Sequence, residues 1–388
     1  MTEQENKKSI RLFVLVTAFY WFSMYAYIPT FSPYIETMGA SHKMVGLILG
    51  SYGFTQMLVR IPLGIYSDRI NKRKIFVIIG IILSGISTLG MYLAQAPELI
   101  LFFRALAGVS AATWISFTVL FSSYFADQEA ARAIGIINAS NKSGQVLGML
   151  LGGVVAQLLG QRFPFLLAAG GGVAALFLSL NVAEKSSQKK PIKAAEIIEV
   201  AKNRSLLLLS LLAIIMMMIV HSTAFGFIPV VAKKLGAGSF QLGLLTTITT
   251  LPGILSSYLS GSVFTKKYGE KNTVTTGFIL LAVSCLLVPL LNQLYLLYFN
   301  QILNGFAQGM ILPILMGLSI KNVAAHRRGT AMGFFQAIYG LGMFAGPLLV
   351  GTISDFSSMK IGFLFIGCVG LLGACLSRIY QPEVKLNN

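Results

Sequence analysis

Hydrophobic positions in this chain form long, nearly unbroken runs, and short polar segments separate them. A helix needs about 20 mostly apolar residues to cross the hydrocarbon core of a bilayer. Twelve runs of this kind account for nearly all of the 388 residues. The pattern therefore predicts an all-α membrane protein with twelve transmembrane helices, numbered spans 1 to 12 in chain order. The predicted spans cover residues 10–33, 43–66, 75–94, 98–125, 133–159, 163–183, 205–232, 239–264, 274–291, 294–320, 329–354 and 360–380.

Composition supports this prediction, because 55% of the residues are hydrophobic and only 11% are charged. Soluble domains carry about 25% charged residues. Because twelve spans with their loops take up nearly the whole length, we expect no room for a soluble domain. The first apolar run is too long for a cleaved signal peptide and is interpreted as span 1. The three cysteines, Cys285, Cys368 and Cys375, lie in apolar spans without pairing or ligand spacing. We expect no metal site and no cofactor.

The net charge of +17 is explained by where the basic residues lie. With the N-terminus inside, 22 of the 30 Lys and Arg fall in segments on the cytoplasmic side and five in the outer loops. Cytoplasmic loops are enriched in Lys and Arg, so this split predicts that both termini are cytoplasmic. The charge then reflects topology and attraction to anionic membrane lipids rather than nucleic-acid binding. We expect a multi-pass protein of the plasma membrane, in a bacterial cell.

A polar stretch at the middle of the chain divides the spans six and six. The predicted units are an N-terminal half, residues 1–184, a cytoplasmic linker, 185–204, and a C-terminal half, 205–388. The halves also form an internal repeat, in which Gly46 matches Gly243 at a shift of 197 residues. Repeats of this kind are an architecture of secondary transporters, with the substrate site at the interface between halves. Further pairs are Gly64 with Gly261, Gly108 with Gly305, and, at a shift of 198, Gly144, Gly148 and Gly153 with Gly342, Gly346 and Gly351.

Three sequence motifs accompany the repeat. After span 2 the chain reads Gly-Ile-Tyr-Ser-Asp-Arg and then a basic cluster; span 4 contains Arg104-Ala-Leu-Ala-Gly108; span 5 carries glycines at intervals of four. Small residues at this interval let two membrane helices pack closely. The residues concerned are Gly64, Asp68, Arg69, Lys72 and Arg73 in the first motif, and Gly144, Gly148, Gly152 and Gly153 in the third, with Gly346 and Pro347 at the related position of span 11.

With these motifs the chain resembles the major facilitator superfamily over its full length. The resemblance implies two pseudo-symmetric six-helix halves that rock against each other in alternating access. It also implies that Asp68 belongs to a conformational latch after span 2, where a carboxylate is stabilised near a helix N-terminus. Thr265 stands at the related position of the second half, so the latch is one-sided. The span 5 glycines are similar to a motif typical of the family's antiporters, and generic helix packing is the alternative interpretation.

Three cations lie inside predicted spans: Arg60, Arg104 and Lys142. Ionisable groups in membrane spans are costly and usually functional. Lys142 is about nine residues into span 5, or about 13 Å, which places it near the midplane. No Asp or Glu lies deep in any span, so we expect a net positive cavity that suits an anionic or zwitterionic substrate, or a cation that changes protonation. The alternatives are structural pairing of Arg60 or Lys142 with backbone carbonyls, and snorkelling of Arg104 to the interface.

Aromatic and amide side chains could shape the pocket, since spans 1, 4, 7 and 10 line the cavity in the family that the chain resembles. Polar groups on apolar spans must find partners, so substrate contact and hydrogen bonding between helices both remain open for them. A lone histidine such as His221 is more often a packed or interfacial residue than a proton carrier. The candidate pocket residues are Tyr20, Tyr25, Trp114, His221, Gln301, Asn304 and Gln308.

We predict a secondary active transporter, monomeric, that exports a small amphipathic or anionic molecule in exchange for protons or another coupling ion. The glycine motif and the one-sided latch favour export. Import of an organic anion or other nutrient is the alternative, and lipid flipping is a lesser one. An enzyme is not expected, because His42, His221 and His326 are widely separated and lack a Cys, Asp or Glu ligand pattern.

Overall fold

A computed structural model describes residues 3–70, 72–184, 202–321, 323 and 328–379. In this part of the chain, 12 helices are long and apolar enough to cross a membrane, which confirms the predicted number of spans. Of the predicted linker, residues 185–201 lie outside the described residues. The spans are Gln4–Thr37, His42–Ser67, Arg73–Leu93, Pro97–Ser122, Arg132–Leu159, Phe163–Leu180, Arg204–Lys234, Ser239–Tyr268, Glu270–Leu290, Leu294–Lys321, Arg328–Phe356 and Met359–Ile379.

Several spans are interrupted where the helix changes its winding. Span 1 consists of Glu3–Tyr25 and Ile28–Thr37, and span 7 consists of Arg204–Ser222 and Ile228–Lys234 with the π-helical turn Thr223–Phe227 between them. The second segment of each begins with a proline at its first or second position, and proline cannot donate the hydrogen bond that would continue the preceding helix. Spans 1 and 7 are related by the repeat, so the two halves bend at matching places. Further breaks lie at Thr113 in span 4, at Ser260–Phe264 in span 8 and at Tyr339 in span 11.

Glycines let the helices within each half approach at backbone distance. A Cβ on Gly148 would collide with the backbone of Phe22 in span 1, and one on Gly346 would collide with Met218 in span 7. Since spans 5 and 11 are related by the repeat, and spans 1 and 7 likewise, both halves use the same contact. The other close approaches are Gly144 to Ala18, Gly152 to Ala26, Gly342 to Ile214, Gly108 to Tyr52 and Gly305 to Thr249.

In the described part of the chain the halves pack mainly along two seams, span 2 against span 11 and span 5 against span 8. We call the membrane side where span 1 begins and span 12 ends the basic side, and the other the far side. At the far side Gly153 meets Gly243, and Gly46 meets Pro347. Toward the basic side, a Cβ on Gly135 of span 5 would touch nothing within 4 Å. The seam of spans 5 and 8 is therefore closed on the far side and parts toward the basic side.

Candidate functional site

Lys142 faces the opening between the halves. Lys142 precedes Met149 by seven residues and Gly153 by eleven, so the three residues share one face of span 5. Nearer the far side, Met149 and Gly153 on this face pack against Gly243 of span 8. At the level of Lys142 the seam has opened and the side chain is exposed. Its Nζ donates to Oε1 of Gln145 at 3.1 Å, and Gln145 donates in turn to Asn141 at 2.6 Å. An uncompensated ammonium group thus lies within reach of a ligand that enters from the basic side.

Arg104 lies in an aromatic cage instead of reaching the membrane surface. Its guanidinium carbon is 4.4 Å from the ring centroid of Tyr52, 5.3 Å from that of Phe31 and 5.6 Å from that of Tyr27. Nη1 donates to the Tyr27 hydroxyl at 2.5 Å, and Nε is buried without a hydrogen-bond partner in the part of the chain that the structure describes. The three aromatic rings hold the flat guanidinium group by cation–π contacts, and Nε of Arg104 is left as a donor for an anion.

A small cavity at the interface of the halves adjoins this cage. It brings together three residues predicted from the sequence, Tyr25, Arg104 and His221. The Phe225 ring packs on Tyr25 and on His221 at 5.7 Å between centroids, and Nδ1 of His221 lies 3.2 Å from the carbonyl oxygen of Met217. The site therefore combines a cation with aromatic surface. The remaining lining residues are Met24, Ile28 and Tyr52.

Tyr20 and Trp114 lie apart from that cavity, in an aromatic stack between spans 1 and 4. Tyr20 is fully buried and its hydroxyl lies 3.0 Å from Oγ of Ser110. Trp114 packs edge-on against Trp21 at 5.2 Å, and Nε1 of Trp21 is a buried donor without a partner among the described residues. The indole of Trp21 therefore adds a buried donor to this stack.

Arg60 connects the halves at the seam of spans 2 and 11. Its Nη1 lies 3.4 Å from the backbone oxygen and 3.3 Å from Oε1 of Gln336, and its Nη2 lies 3.5 Å from the carbonyl oxygen of Ala111. These bonds are long for a charged donor. The side chain is 3% exposed and borders a second cavity, with Gly64 and Phe334 on its wall. The contacts match the carbonyl pairing that the sequence left open.

The amide stripe of span 10 is directed at its neighbouring helices. Asn304 donates to Oγ of Ser284 in span 9 at 2.9 Å, and Gln308 donates to Asn304 at 2.6 Å. Gln301 is fully buried and its Oε1 accepts from Thr249 of span 8 at 3.4 Å. These contacts are hydrogen bonds between or along helices, and among the three only Gln308 is half-exposed.

The motif after span 2 is only partly visible. The side chain of Asp68 lies outside the described residues, so the predicted latch stays a prediction. Arg69 and Lys72 are exposed, and Nη1 of Arg73 donates to Oγ of Ser67 at 2.5 Å. Gly64 packs against Ile115 of span 4.

Glu184 is a carboxylate at this loop that the sequence argument missed. Its two oxygens accept from the backbone N–H groups of Arg73 and Lys74, at 2.9 Å each, and so cap span 3. Burial raises the pKa of Tyr124, whose protonated hydroxyl donates to the carbonyl oxygen of Ala183 and fixes the end of span 6. The position of Glu184 just after an apolar span was the available signal.

A second missed feature lies at the far side. Oδ1 of Asp355, in span 11, accepts from the backbone N–H of His42 at 2.9 Å, and Oδ2 accepts from that of Lys43 at 2.8 Å. The His42 ring also contacts Glu36 of span 1. The sequence gives no sign of this pairing, because His42 and Asp355 are 313 positions apart.

Comparison with known proteins agrees with this architecture. A family model described as Major Facilitator Superfamily matches residues 13–231 and again residues 209–387. An uncharacterised transporter of this type from Methanocaldococcus jannaschii is 25% identical over 369 residues, covering 89% of this chain and 92% of that protein. Multidrug resistance protein 2 of Bacillus subtilis is 25% identical over 377 residues, covering 92% and 91%.

Among solved structures, a bacterial homologue of the human lysosomal transporter Spinster, in an inward-facing and unoccupied conformation, superposes with a TM-score of 0.83. It is 16% identical and covers 98% of this chain and 97% of that one. At this identity the likeness concerns the fold. The twelve-span arrangement in two related halves is thus shared with a transporter.

Proposed function

Because this chain belongs to the Major Facilitator Superfamily and is a transporter, not an enzyme, we propose that it exports a small amphipathic or anionic molecule in exchange for protons. The observation that carries the proposal is an interior that is positive and rich in free donors. Arg60, Arg104 and Lys142 form no ion pair with a carboxylate within the described residues. Arg60 and Arg104 are buried, and a buried charge without a counter-ion is costly, so a ligand that supplies the opposite charge binds favourably beside them.

The arrangement of the donors supports an anion that carries an apolar or aromatic body. Arg104 offers its unpartnered Nε beside the rings of Tyr25 and Phe225, and Lys142 lies nearer the opening on the basic side. A ligand that reaches both cations would span the centre of the membrane at the interface of the halves. A ligand bound there would contact both halves, so it could influence their relative orientation, as alternating access requires.

Direction and coupling follow from several supporting features. The basic side is proposed to be the cytoplasm of a bacterial cell, so the structure is open to the compartment from which an exporter takes its substrate. The span 5 glycine motif and the similarity to a multidrug resistance protein also favour export. We further propose a monomer in which residues 1–184 and 205–388 rock against each other, with the glycines of spans 5 and 11 and the loop after span 2 as the moving contacts.

The proposal is tested by comparing small molecules in spent medium and cell extract, from cells that lack the protein and cells that overproduce it. An exporter makes its substrate accumulate outside on overproduction and inside on deletion. Faster depletion of a compound from the medium would instead establish an importer. With the substrate in hand, reconstituted vesicles with and without a pH gradient decide whether protons drive transport, because a proton antiporter loses concentrative transport when the gradient is collapsed.

Replacing Arg104 by Gln is expected to reduce transport of that substrate by about 30- to 150-fold, because a charge-assisted contact to a bound anion is worth about 2–3 kcal/mol. Arg104→Lys should recover only part, since an ammonium group keeps the charge but not the flat face that stacks in the cage. The matched control is Arg162→Gln: Arg162 also lies over a tyrosine ring, at 5.5 Å from Tyr92, but is exposed on the far side. Equal losses in both variants would contradict a role in the site. The measurement is uptake into everted vesicles at equal protein levels.

A further inference from the structure

The far side of the molecule is closed by two caps at related positions. In one seam, Oε1 of Gln157 at the end of span 5 accepts from the backbone N–H of Ser239, at the start of span 8, at 3.0 Å. In the other, Asp355 near the end of span 11 accepts from the N–H groups of His42 and Lys43, at the start of span 2, at 2.9 and 2.8 Å. The repeat relates Gln157 to Asp355 and His42 to Ser239. Each cap joins one half of the molecule to the other.

The two caps differ in their ability to bind a proton. The Gln157 cap is neutral, whereas the Asp355 cap contains a carboxylate and an imidazole. Nδ1 of His42 lies 3.0 Å from Oδ1 of Asp355, and Nε2 lies 3.3 Å from Oε1 of Glu36. That oxygen of Glu36 is buried and has no hydrogen-bond partner in the described part of the chain. Both ring nitrogens of one histidine therefore face carboxylate oxygens.

This geometry fits the protonated form of the histidine. An ionised carboxylate can only accept hydrogen bonds, and a neutral imidazole carries a single N–H. A neutral His42 could satisfy one carboxylate, while its other nitrogen would present a lone pair to the second. The imidazolium donates from both nitrogens and places a positive charge between two negative ones. Proton binding thus favours the arrangement in which spans 1, 2 and 11 are held together.

We propose that His42, Glu36 and Asp355 form a proton-operated latch that holds the far side closed when His42 is protonated and releases it when His42 loses its proton. Histidine changes charge between about pH 5 and pH 8, so the closed state should be favoured at the acid end of this range and lose that advantage as pH rises. In the exporter proposed above, the far side is the outside, and external acid would drive closure. That last step rests on the proposed function; the latch itself does not.

The other charged groups that lie near this cluster are lysines. Lys43 is the next residue, and its backbone contributes to the cap. Lys234, in the last turn of span 7, interacts electrostatically with Glu36, and the adjacent Lys233 is exposed. Phe227 of the same span lies 6.4 Å from the His42 ring and adds no charge. The pH response is therefore assigned to His42 and its two carboxylates.

The test is a distance measurement across the far side by double electron–electron resonance. Spin labels are attached at Gln95→Cys and Asn292→Cys, two exposed loop positions on opposite halves, after Cys285, Cys368 and Cys375 have been replaced by alanine. The labelled protein is placed in lipid nanodiscs between pH 5 and pH 8 without substrate. The short distance corresponds to a closed far side and the long distance to an open one. We expect the ratio of the short to the long population to fall by about three- to tenfold from pH 5 to pH 8. A change of this size is what the loss of one partly exposed charge pair would produce.

Two variants should abolish the response. Asp355→Asn makes this cap resemble the neutral Gln157 cap, and His42→Gln removes the titrating ring while it leaves the backbone N–H in place. Gln157→Ala is the matched control, because it weakens the neutral cap and should raise the open population without removing the pH response.

An unchanged distance distribution in the parent protein from pH 5 to pH 8 would overturn the latch. So would a pH response that survives in both His42→Gln and Asp355→Asn. Because no substrate or gradient is present, these results are independent of whether the protein exports or imports. The latch can therefore fail while the proposed function stands, and the reverse is equally possible.

Discussion

Lys142→Ala is expected to abolish transport while the protein still folds. The side chain is exposed to the opening between the halves. Among the residues that the structure describes, its hydrogen bond is to Gln145 on the same helix, so little packing is lost with it. Its positive charge has no carboxylate partner within the described residues, so it is available to a substrate or for exchange of a proton. A membrane-embedded ionisable group with no structural partner is expected to be functional.

The measurement is transport in vesicles, beside the thermal unfolding of the purified variant. Lys321→Ala is the control, because Nζ of Lys321 pairs with Glu270 at 2.9 Å at the exposed end of span 10 and lies outside the opening. Lys142→Arg distinguishes substrate binding from proton exchange, because arginine keeps the positive charge but does not release a proton at physiological pH. Transport that is retained in Lys142→Ala would exclude this residue from the mechanism.

The number of spans could be predicted from the sequence because it depends on a local property. Each span is an apolar run of membrane length, and the bilayer requires every such run to satisfy its own backbone groups as a helix. The repeat was visible for a related reason: glycines such as Gly148 and Gly346 mark places where a backbone must come close, and no other residue fits there. These signals do not depend on knowing which helices are neighbours.

The surroundings of individual side chains could not be predicted, because they depend on how the helices rotate against each other. Arg104 was a candidate for the cavity or for the interface, and its aromatic cage is built by Tyr27, Phe31 and Tyr52 from two other spans. The stripe on span 10 showed a shared face, but not that Asn304 faces Ser284. Pairing of distant residues was likewise hidden in the contact of His42 with Asp355.

Two adjacent glycines, Gly152 and Gly153, should respond differently to the same substitution. A Cβ on Gly152 would collide with the backbone of Ala26 in span 1, a contact inside one half. A Cβ on Gly153 would collide with Gly243 and with the backbone of Ser239 in span 8, a contact between halves. Overpacking a tight helix contact costs about 1–3 kcal/mol, and more where the obstacle is backbone. If the contact cannot separate, this cost lowers the stability of the fold. If the contact can separate, the cost instead lowers the population of the state in which it is closed.

Gly152→Val should lower the thermal stability of the purified protein, because spans 1 and 5 stay together in every state of the cycle. Gly153→Val should leave stability near that of the parent and instead shift the halves toward the state that is open on the far side, by about tenfold or more in population. Transport should be lost in both. Gly170→Val, at an exposed position of span 6 where a Cβ meets nothing within 4 Å, is the control for a valine in a span.

Thermal unfolding and the far-side distance between labels at positions 95 and 292 separate these outcomes. If the halves move as rigid units, only Gly152→Val lowers the unfolding temperature and only Gly153→Val lengthens the distance. Equal destabilisation by both would mean that the seam of spans 5 and 8 does not open during the cycle. The far side would then have to open by bending within a half, at the breaks in spans 1 and 7, and the rocking of two halves would be the wrong description of this transporter.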